Sequence, residues 1–251
     1  SRYTHDAWLF FRDHVTEHTH GLPPDNVQFS PTYAVANRTS PTNIGLYLLS
    51  LLAARDLGYI DSAELYRRSL ATAKTVKNLF KWNGHLYNWY ATDTLGVLGD
   101  AFVSTVDSGN FVTALIAFCE GAKEYAGEET GLLDVIAMLE CVVSETDFSA
   151  LYDTSRALFY VGYHVKNGAY SRSHYDTFMS EARLTSYYAA ATRTVPRSHY
   201  FQPSRRVIGG FGRRGIASWS GTAFEYFMPS LLLPTVKRSA TDFALSYAYR
   251  A

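Results

Sequence analysis

The sequence predicts an all-α protein built from antiparallel helix pairs. Two observations carry that reading. Runs that are apolar almost all round alternate with amphipathic runs, and short breaks marked by Pro, Gly, Asp and Ser separate them. A helix that is apolar on every side must be buried, whereas an amphipathic one covers the outside. Inner helices alternating with outer ones fit an α/α toroid, whose cleft is made by loops at one rim. Periodicity alone fits a helical bundle equally well.

Residues 4–18 open as an aromatic-rich amphipathic run with Trp8, Phe10 and Phe11, and residues 19–37 are loop, broken by Pro23-Pro24-Asp25-Asn26 and Ser30-Pro31. A buried helix over 42–57 stops at Gly58, and Asp61 or Ser62 caps an outer helix to about residue 80. Residues 81–108 read as a long loop with extended pieces, followed by helices over 109–126 and 130–146. Leu158, Tyr160, Gly162 and His164 alternate with Phe159, Val161, Tyr163 and Val165, and Asn167-Gly168 is a turn signal, so a small β-hairpin is expected near 150–168. A helix over 174–192, a Gly/Arg-rich loop over 203–215, a helix over 220–232 ending near Pro234 and a last helix from about 239 complete the order. That last helix meets Ala251 without a stop signal, so a single domain over 1–251, cut from something longer, is expected.

Charge is balanced at 23 basic and 23 acidic residues, which disfavours a nucleic-acid or anionic-membrane partner and suits a neutral polymer. Aromatic residues make up 15%, with 19 Tyr, more than a core requires; Tyr serves surfaces that are part wet and part apolar. Cys119 and Cys141 lie in apolar helical runs and read as buried thiols. No metal site is expected: His5, His14, His18 and His20 cluster in sequence but show no carboxylate partners of the kind metal-binding histidines use. No cofactor motif, nucleophile elbow or phosphate loop is visible, and Gly209-Gly210-Phe211-Gly212 reads as a mobile loop at a cleft mouth. The N-terminus lacks a signal-peptide pattern, and the longest apolar run, Ile44 to Ala54, is too short to span a membrane.

Between the helices lie short islands joining aromatic rings or carboxylates to neutral hydrogen-bonding groups. They are Arg38-Thr39-Ser40-Pro41-Thr42-Asn43, Gly84-His85-Leu86-Tyr87-Asn88-Trp89-Tyr90, Ser104-Thr105-Val106-Asp107-Ser108-Gly109-Asn110, Ser180-Glu181-Ala182-Arg183 and the stretch from Ser218-Trp219-Ser220-Gly221 to Glu225-Tyr226. A sugar asks for that combination, since its CH-rich faces pack on rings and its hydroxyls need donors and acceptors.

These islands, together with Leu22-Pro23-Pro24-Asp25-Asn26, resemble in order the glycoamylase-like domain of cyclic β-1,2-glucan synthases, a relative of endo-β-1,2-glucanases. The resemblance implies an (α/α)6 toroid, here incomplete at the C-terminus, that cleaves and re-forms β-1,2-glucosidic bonds with retention of configuration. It also implies a β-1,2-glucan substrate and tethering to membrane glucosyltransferase and phosphorylase-like domains, which favours the cytoplasmic side of a bacterial inner membrane over secretion. Glu181 matches the glutamate of the family's Ser-Glu-Ala-Arg motif and is the candidate nucleophile; the family's second glutamate is expected beyond Ala251. Two positions depart from the pattern: Ala91 stands where an Asp usually follows the Trp-Tyr pair, and His164 where an acidic or amide residue is usual.

Residue by residue, Glu181 is expected on a helix in a partly buried position. Asp107 reads as an N-cap or as a cleft carboxylate holding sugar hydroxyls. Glu225 reads as a partner of Arg183, Arg213 or Arg214, or as a substitute acid/base. Tyr87, Trp89, Tyr90 and Trp219 are candidate stacking platforms. Arg38, Asn43, Asn110 and Arg183 are candidate hydrogen-bonding residues toward sugar. The alternatives to transglycosylation are hydrolysis of the endo-β-1,2-glucanase type, a glucan-binding module without turnover, and a helical scaffold whose aromatics are core.

Overall fold

The computed structural model describes residues 2–210 and 213–250. It contains eight α-helices among these residues: α1 (Arg2–His14), α2 (Pro41–Asp56), α3 (Ser62–Asn78), α4 (Thr105–Lys123), α5 (Leu132–Glu145), α6 (Arg183–Ala191), α7 (Ala223–Phe227) and α8 (Ala240–Ala248). Short strands line the connections: β1 (Val27–Gln28), β2 (Ala34–Val35), β3 (Arg38–Thr39), β4 (Lys81–Trp82), β5 (His85–Leu86), β6 (Tyr90–Ala91), β7 (Phe102–Ser104), β8 (Tyr152–Asp153), β9 (Leu158–Phe159), β10 (Gly162–His164), β11 (Ala169–Tyr170), β12 (Val207–Gly210) and β13 (Arg213–Ile216).

The inner–outer alternation is real. α2 packs on α4, and α4 packs on α6; α3 and α5 pack on them and on each other from outside. α2 and α4 bury residues around most of their circumference, Ile44, Tyr47, Leu48 and Leu51 on one and Phe111, Val112, Leu115 and Phe118 on the other. Outer α3 buries one stripe (Leu65, Ser69, Thr72, Ala73, Val76). Two close approaches set the inner spacing. A Cβ added to Gly45 would lie 2.8 Å from the Ala114 Cβ, and one added to Gly109 would lie 1.9 Å from the Thr185 Oγ1. The three inner helices therefore run with backbones nearly touching near their starts.

Caps place the helix starts. The Ser40 hydroxyl accepts the Asn43 N–H and Pro41 occupies the first turn of α2; the Asp61 carboxylate accepts the Glu64 N–H at α3. At α4 the cap is Ser104, whose hydroxyl accepts the Asp107 N–H, so the helix begins four residues before the expected 109 and Asp107 lies inside its first turn rather than at the cap.

Four expectations need correction. The helix over 174–192 begins only at Arg183: the preceding residues are extended, bridging in parallel from Thr177 to Ser204 and from Met179 to Ser218. The helix over 220–232 is a short α7 followed by a 3₁₀ turn at Met228–Leu231, where Pro229 cannot continue the α-helical ladder. The Gly/Arg-rich loop is an antiparallel hairpin, β12 on β13, packed against α8, with Gly215 lying against the Tyr247 ring; its tip, Phe211-Gly212, lies outside the described residues. The hairpin expected near 150–168 resolves into β8–β9 and a three-stranded sheet in the order β11–β10–β7. Cys119 is buried as expected, and burial pushes its thiol up to about 12. Cys141 instead is exposed, donating to Glu145. Among the described residues no helix is long and apolar enough to cross a membrane.

Candidate active site

The starts of α2, α4 and α6 meet at one rim. Thr42, in the first turn of α2, donates from Oγ1 to the Asp107 carboxylate in the first turn of α4 at 2.6 Å. Thr185, in the first turn of α6, donates to the Thr105 carbonyl at 3.0 Å. The first turns of three helices thus come together there, and the positive ends of their dipoles favour negative charge nearby.

Asp107 anchors a chain of contacts. Asn110 donates to the Thr42 hydroxyl at 3.2 Å, and that hydroxyl donates to Asp107. With its amide nitrogen facing Asp107, Asn88 donates to the second carboxylate oxygen at 2.8 Å and accepts from the Trp89 indole N–H at 3.0 Å. The Arg38 guanidinium lies over the Trp89 ring, 4.4 Å from its centroid, and pairs with Asp25 at 3.0 Å. Asn43 donates to the other Asp25 oxygen at 3.3 Å. Burial raises the Asp107 pKa, with the Thr42 and Ser104 hydroxyls opposing it. The Asn110 Oδ1 and Ser108 Oγ are buried without a partner.

Glu181 stands in the turn just before α6. The bridge between Met179 and Ser218, closed by the Trp219 N–H on the Met179 carbonyl at 3.0 Å, brings the 218–225 segment beside it. Its carboxyl group makes no hydrogen bond among the described residues. Burial raises its pKa, and the negative charges of Asp107 and Glu225 raise it further. Asp107 and Glu225 are therefore near enough to Glu181 for their charge to act on it. The rim also holds Tyr175, which is half-buried with its ring 5.2 Å from that of Trp219. Burial, then Glu181, Asp107 and Glu225, push its phenol up, so it remains an O–H donor.

Glu225 is buried and occupied. Its carboxylate accepts the backbone N–H groups of Ser220, Gly221 and Thr222 and the Ser220 hydroxyl, and it completes a capping box with Thr222 at the start of α7. Neither Arg183 nor Arg214 bonds to it, so the ion pair expected for it with those two does not form; the Arg213 side chain lies outside the described residues. Arg183 turns elsewhere: buried, it donates to the Met179 sulfur, the Tyr226 carbonyl and the Ser230 hydroxyl.

The aromatics divide. Trp219 is 41% exposed and free to take a sugar face. Trp89 presents a ring already covered on one side by Arg38. Tyr90 is fully buried, accepting the Tyr87 N–H and donating to the Phe80 carbonyl, which makes it core and not a platform. Tyr87 packs against that core edge-on to Tyr90. Of the two departures, the Ala91 N–H bonds the Gly96 carbonyl within a turn, and His164 packs on Phe102 at 4.7 Å, in β10.

Sequence reasoning passed over Thr42, Asn88, Asp25 and Tyr175 as site residues. The first three stood inside or beside the islands, and their polarity was the available signal. Tyr175 had none, because its place depends on the bridges from Thr177 and Met179 to distant strands.

No family model matches the chain. It is 27% identical to the cyclic β-(1,2)-glucan synthase NdvB of Rhizobium meliloti (strain 1021) in an alignment of 349 residues that covers 90% of this chain and 12% of that protein. The alignment is longer than the chain, so the synthase stretch carries insertions relative to it. Among solved structures, an endo-β-1,2-glucanase from Chitinophaga pinensis, in complex with sophorotriose and glucose, superposes with a TM-score of 0.78 at 14% identity, over 96% of this chain and 62% of that one. The endo-β-1,2-glucanase from Talaromyces funiculosus with sophorose gives a TM-score of 0.72 at 14% identity, over 100% of this chain and 60% of that one. The chain thus spans under two thirds of these glucanases and about an eighth of the synthase. The resemblance read from the motifs holds: the chain is similar in sequence to a stretch of a cyclic β-1,2-glucan synthase and takes the helical toroid-type fold of the endo-β-1,2-glucanases.

Proposed function

We propose that the rim where α2, α4 and α6 begin processes β-1,2-glucan, with Glu181 protonating the glycosidic oxygen as the bond to C1 breaks. The observation that carries this is the state of Glu181. It is a half-buried carboxyl group without a hydrogen bond, beside two other acids. Those surroundings favour the protonated form, which is what a proton donor needs and a nucleophile does not. The role therefore moves from the nucleophile expected from the motif to the acid. After protonation, the arriving group is a sugar hydroxyl in transglycosylation or water in hydrolysis. Asp107 and Asn110 brace the rim through Thr42 and Asn88, and Trp219 with Tyr175 takes a sugar face. Glu225 shapes the turn that carries Trp219. The similarity to the synthase supports β-1,2-glucan as the polymer, a single domain over the chain, and attachment to membrane-bound glucosyltransferase and phosphorylase-like parts.

The test is to incubate the protein with linear β-1,2-glucan and read product size by mass spectrometry. Shortened or cyclised products, lost in Glu181→Gln with folding intact, support the reading. Saturable glucan binding without turnover supports the binding-module alternative instead. Proton NMR of the first product then reports mechanism: a β anomer means double displacement with a carboxyl nucleophile, an α anomer means direct displacement.

A further inference from the structure

A cavity of about 350 Å³ opens among Phe178, Arg183, Tyr200, Phe201, Arg205 and the start of α8. Its walls are aromatic and its two charged groups are both guanidiniums; none of the residues lining it is acidic. Arg183 is 2% exposed. Its acceptors are a thioether sulfur, a carbonyl and a hydroxyl, and its Nε has no partner at all. Arg205 lies 4.0 Å over the Phe178 ring and donates only to the carbonyls of Tyr200, Phe201 and Pro203. The start of α8, Ser239, Ala240 and Thr241, closes one side. Asp242 of that turn is engaged elsewhere, accepting the Arg238 N–H. Among the described residues Tyr200 acts on both arginines, and it supplies no negative charge while its phenol stays protonated.

A buried guanidinium ordinarily finds a carboxylate, because an uncompensated charge away from water is costly. Here the buried guanidinium of Arg183, the half-buried one of Arg205 and the start of α8 surround an open space with apolar walls, so the missing counter-charge belongs to something that enters it. We propose that this cavity binds a small organic anion, a carboxylate or phosphate carried on a flat body that lies against the wall formed by Phe178, Tyr200 and Phe201. The proposal does not depend on the glucan reading.

The experiment is calorimetric titration of the whole protein with benzoate, phenyl phosphate and uncharged benzyl alcohol. The result expected is saturable binding of at least one anion and none of the alcohol; benzoate against phenyl phosphate shows which head group the site prefers. Arg205→Met weakens the anion about tenfold or more, the loss of a charge-assisted contact, while Arg205→Lys recovers part of it. Because Arg205 also braces the turn at 200–203, a second variant, Thr241→Glu, places a carboxylate on the cavity wall and abolishes anion binding without removing an arginine. Absence of saturable anion binding, equal binding of benzyl alcohol, or anion binding untouched by Thr241→Glu would each overturn the proposal.

Discussion

Glu181 and Asp107 share a raised pKa but differ in how they are held. Asp107 is fixed by Thr42 and Asn88, whereas Glu181 touches no donor. Their removal should therefore have opposite effects on stability. Glu181→Gln leaves no orphan, so its melting temperature should equal or exceed that of the parent at pH 7. Thr42→Val strips a donor from a buried carboxylate and should cost about 1.5–3 kcal/mol in urea unfolding. The pH dependence follows from the direction of the shifts. Both carboxyls bind a proton more tightly folded than unfolded. Their contribution is complete below the ordinary values of 3.8 and 4.5 and is lost as pH rises through the raised folded values. Stability measured from pH 4 to pH 7 should fall less steeply in Glu181→Gln. If Glu181 is the acid, the alkaline limb of turnover should lie above the usual carboxylate range. At this scale the sequence was only partly legible. The motif located Glu181 and Asp107, but Tyr175 and the Asn88 link become site residues through contacts between segments far apart in the chain, and a linear pattern carries no trace of those.

A side-chain cap did not by itself make a helix start legible: α4 is capped by Ser104 yet begins four residues before the expected start, whereas uncapped α5 begins within two of it. The apolar run over 42–57 and the cap at Asp61 or Ser62 gave the starts of α2 and α3 to within a residue. α6 has no side-chain cap, and Ala182 precedes it, so its start was read nine residues too far toward the N-terminus. The β12–β13 hairpin was missed because its glycines look like a loop, while Gly215 is there to let the Tyr247 ring approach. The inner helices make a sharper prediction. Gly109→Ala would drive a methyl into Thr185, including its backbone Cα at 2.9 Å, so relaxation of the side chain alone cannot relieve it. It should destabilise by about 1–3 kcal/mol and weaken any glucan binding, because the same shift parts α4 from α6 at the rim. Denaturant midpoints alongside glucan titration would check both.

Across the whole molecule, the site is made by stretches that alternate with structural helices: the loop before α2, the 84–90 turn, the start of α4, the 175–183 segment and the turn before α7. That arrangement is what an α/α ring provides, with chemistry at one rim and packing everywhere else. It also explains why polar islands in an otherwise apolar chain were informative. Trp219 is the exposed ring of that rim, so Trp219→Ala should weaken glucan binding about tenfold, equivalent to a stacked ring's contribution, with little change in melting temperature. The central claim is that this rim acts on β-1,2 linkages through Glu181. The most direct test offers the protein linear β-1,2-, β-1,3- and β-1,4-glucans in parallel and follows product size for the parent and Glu181→Gln. The account predicts products from the β-1,2-glucan alone, absent in the variant, which still binds that polymer. Products from another linkage, or undiminished products from Glu181→Gln, would contradict it.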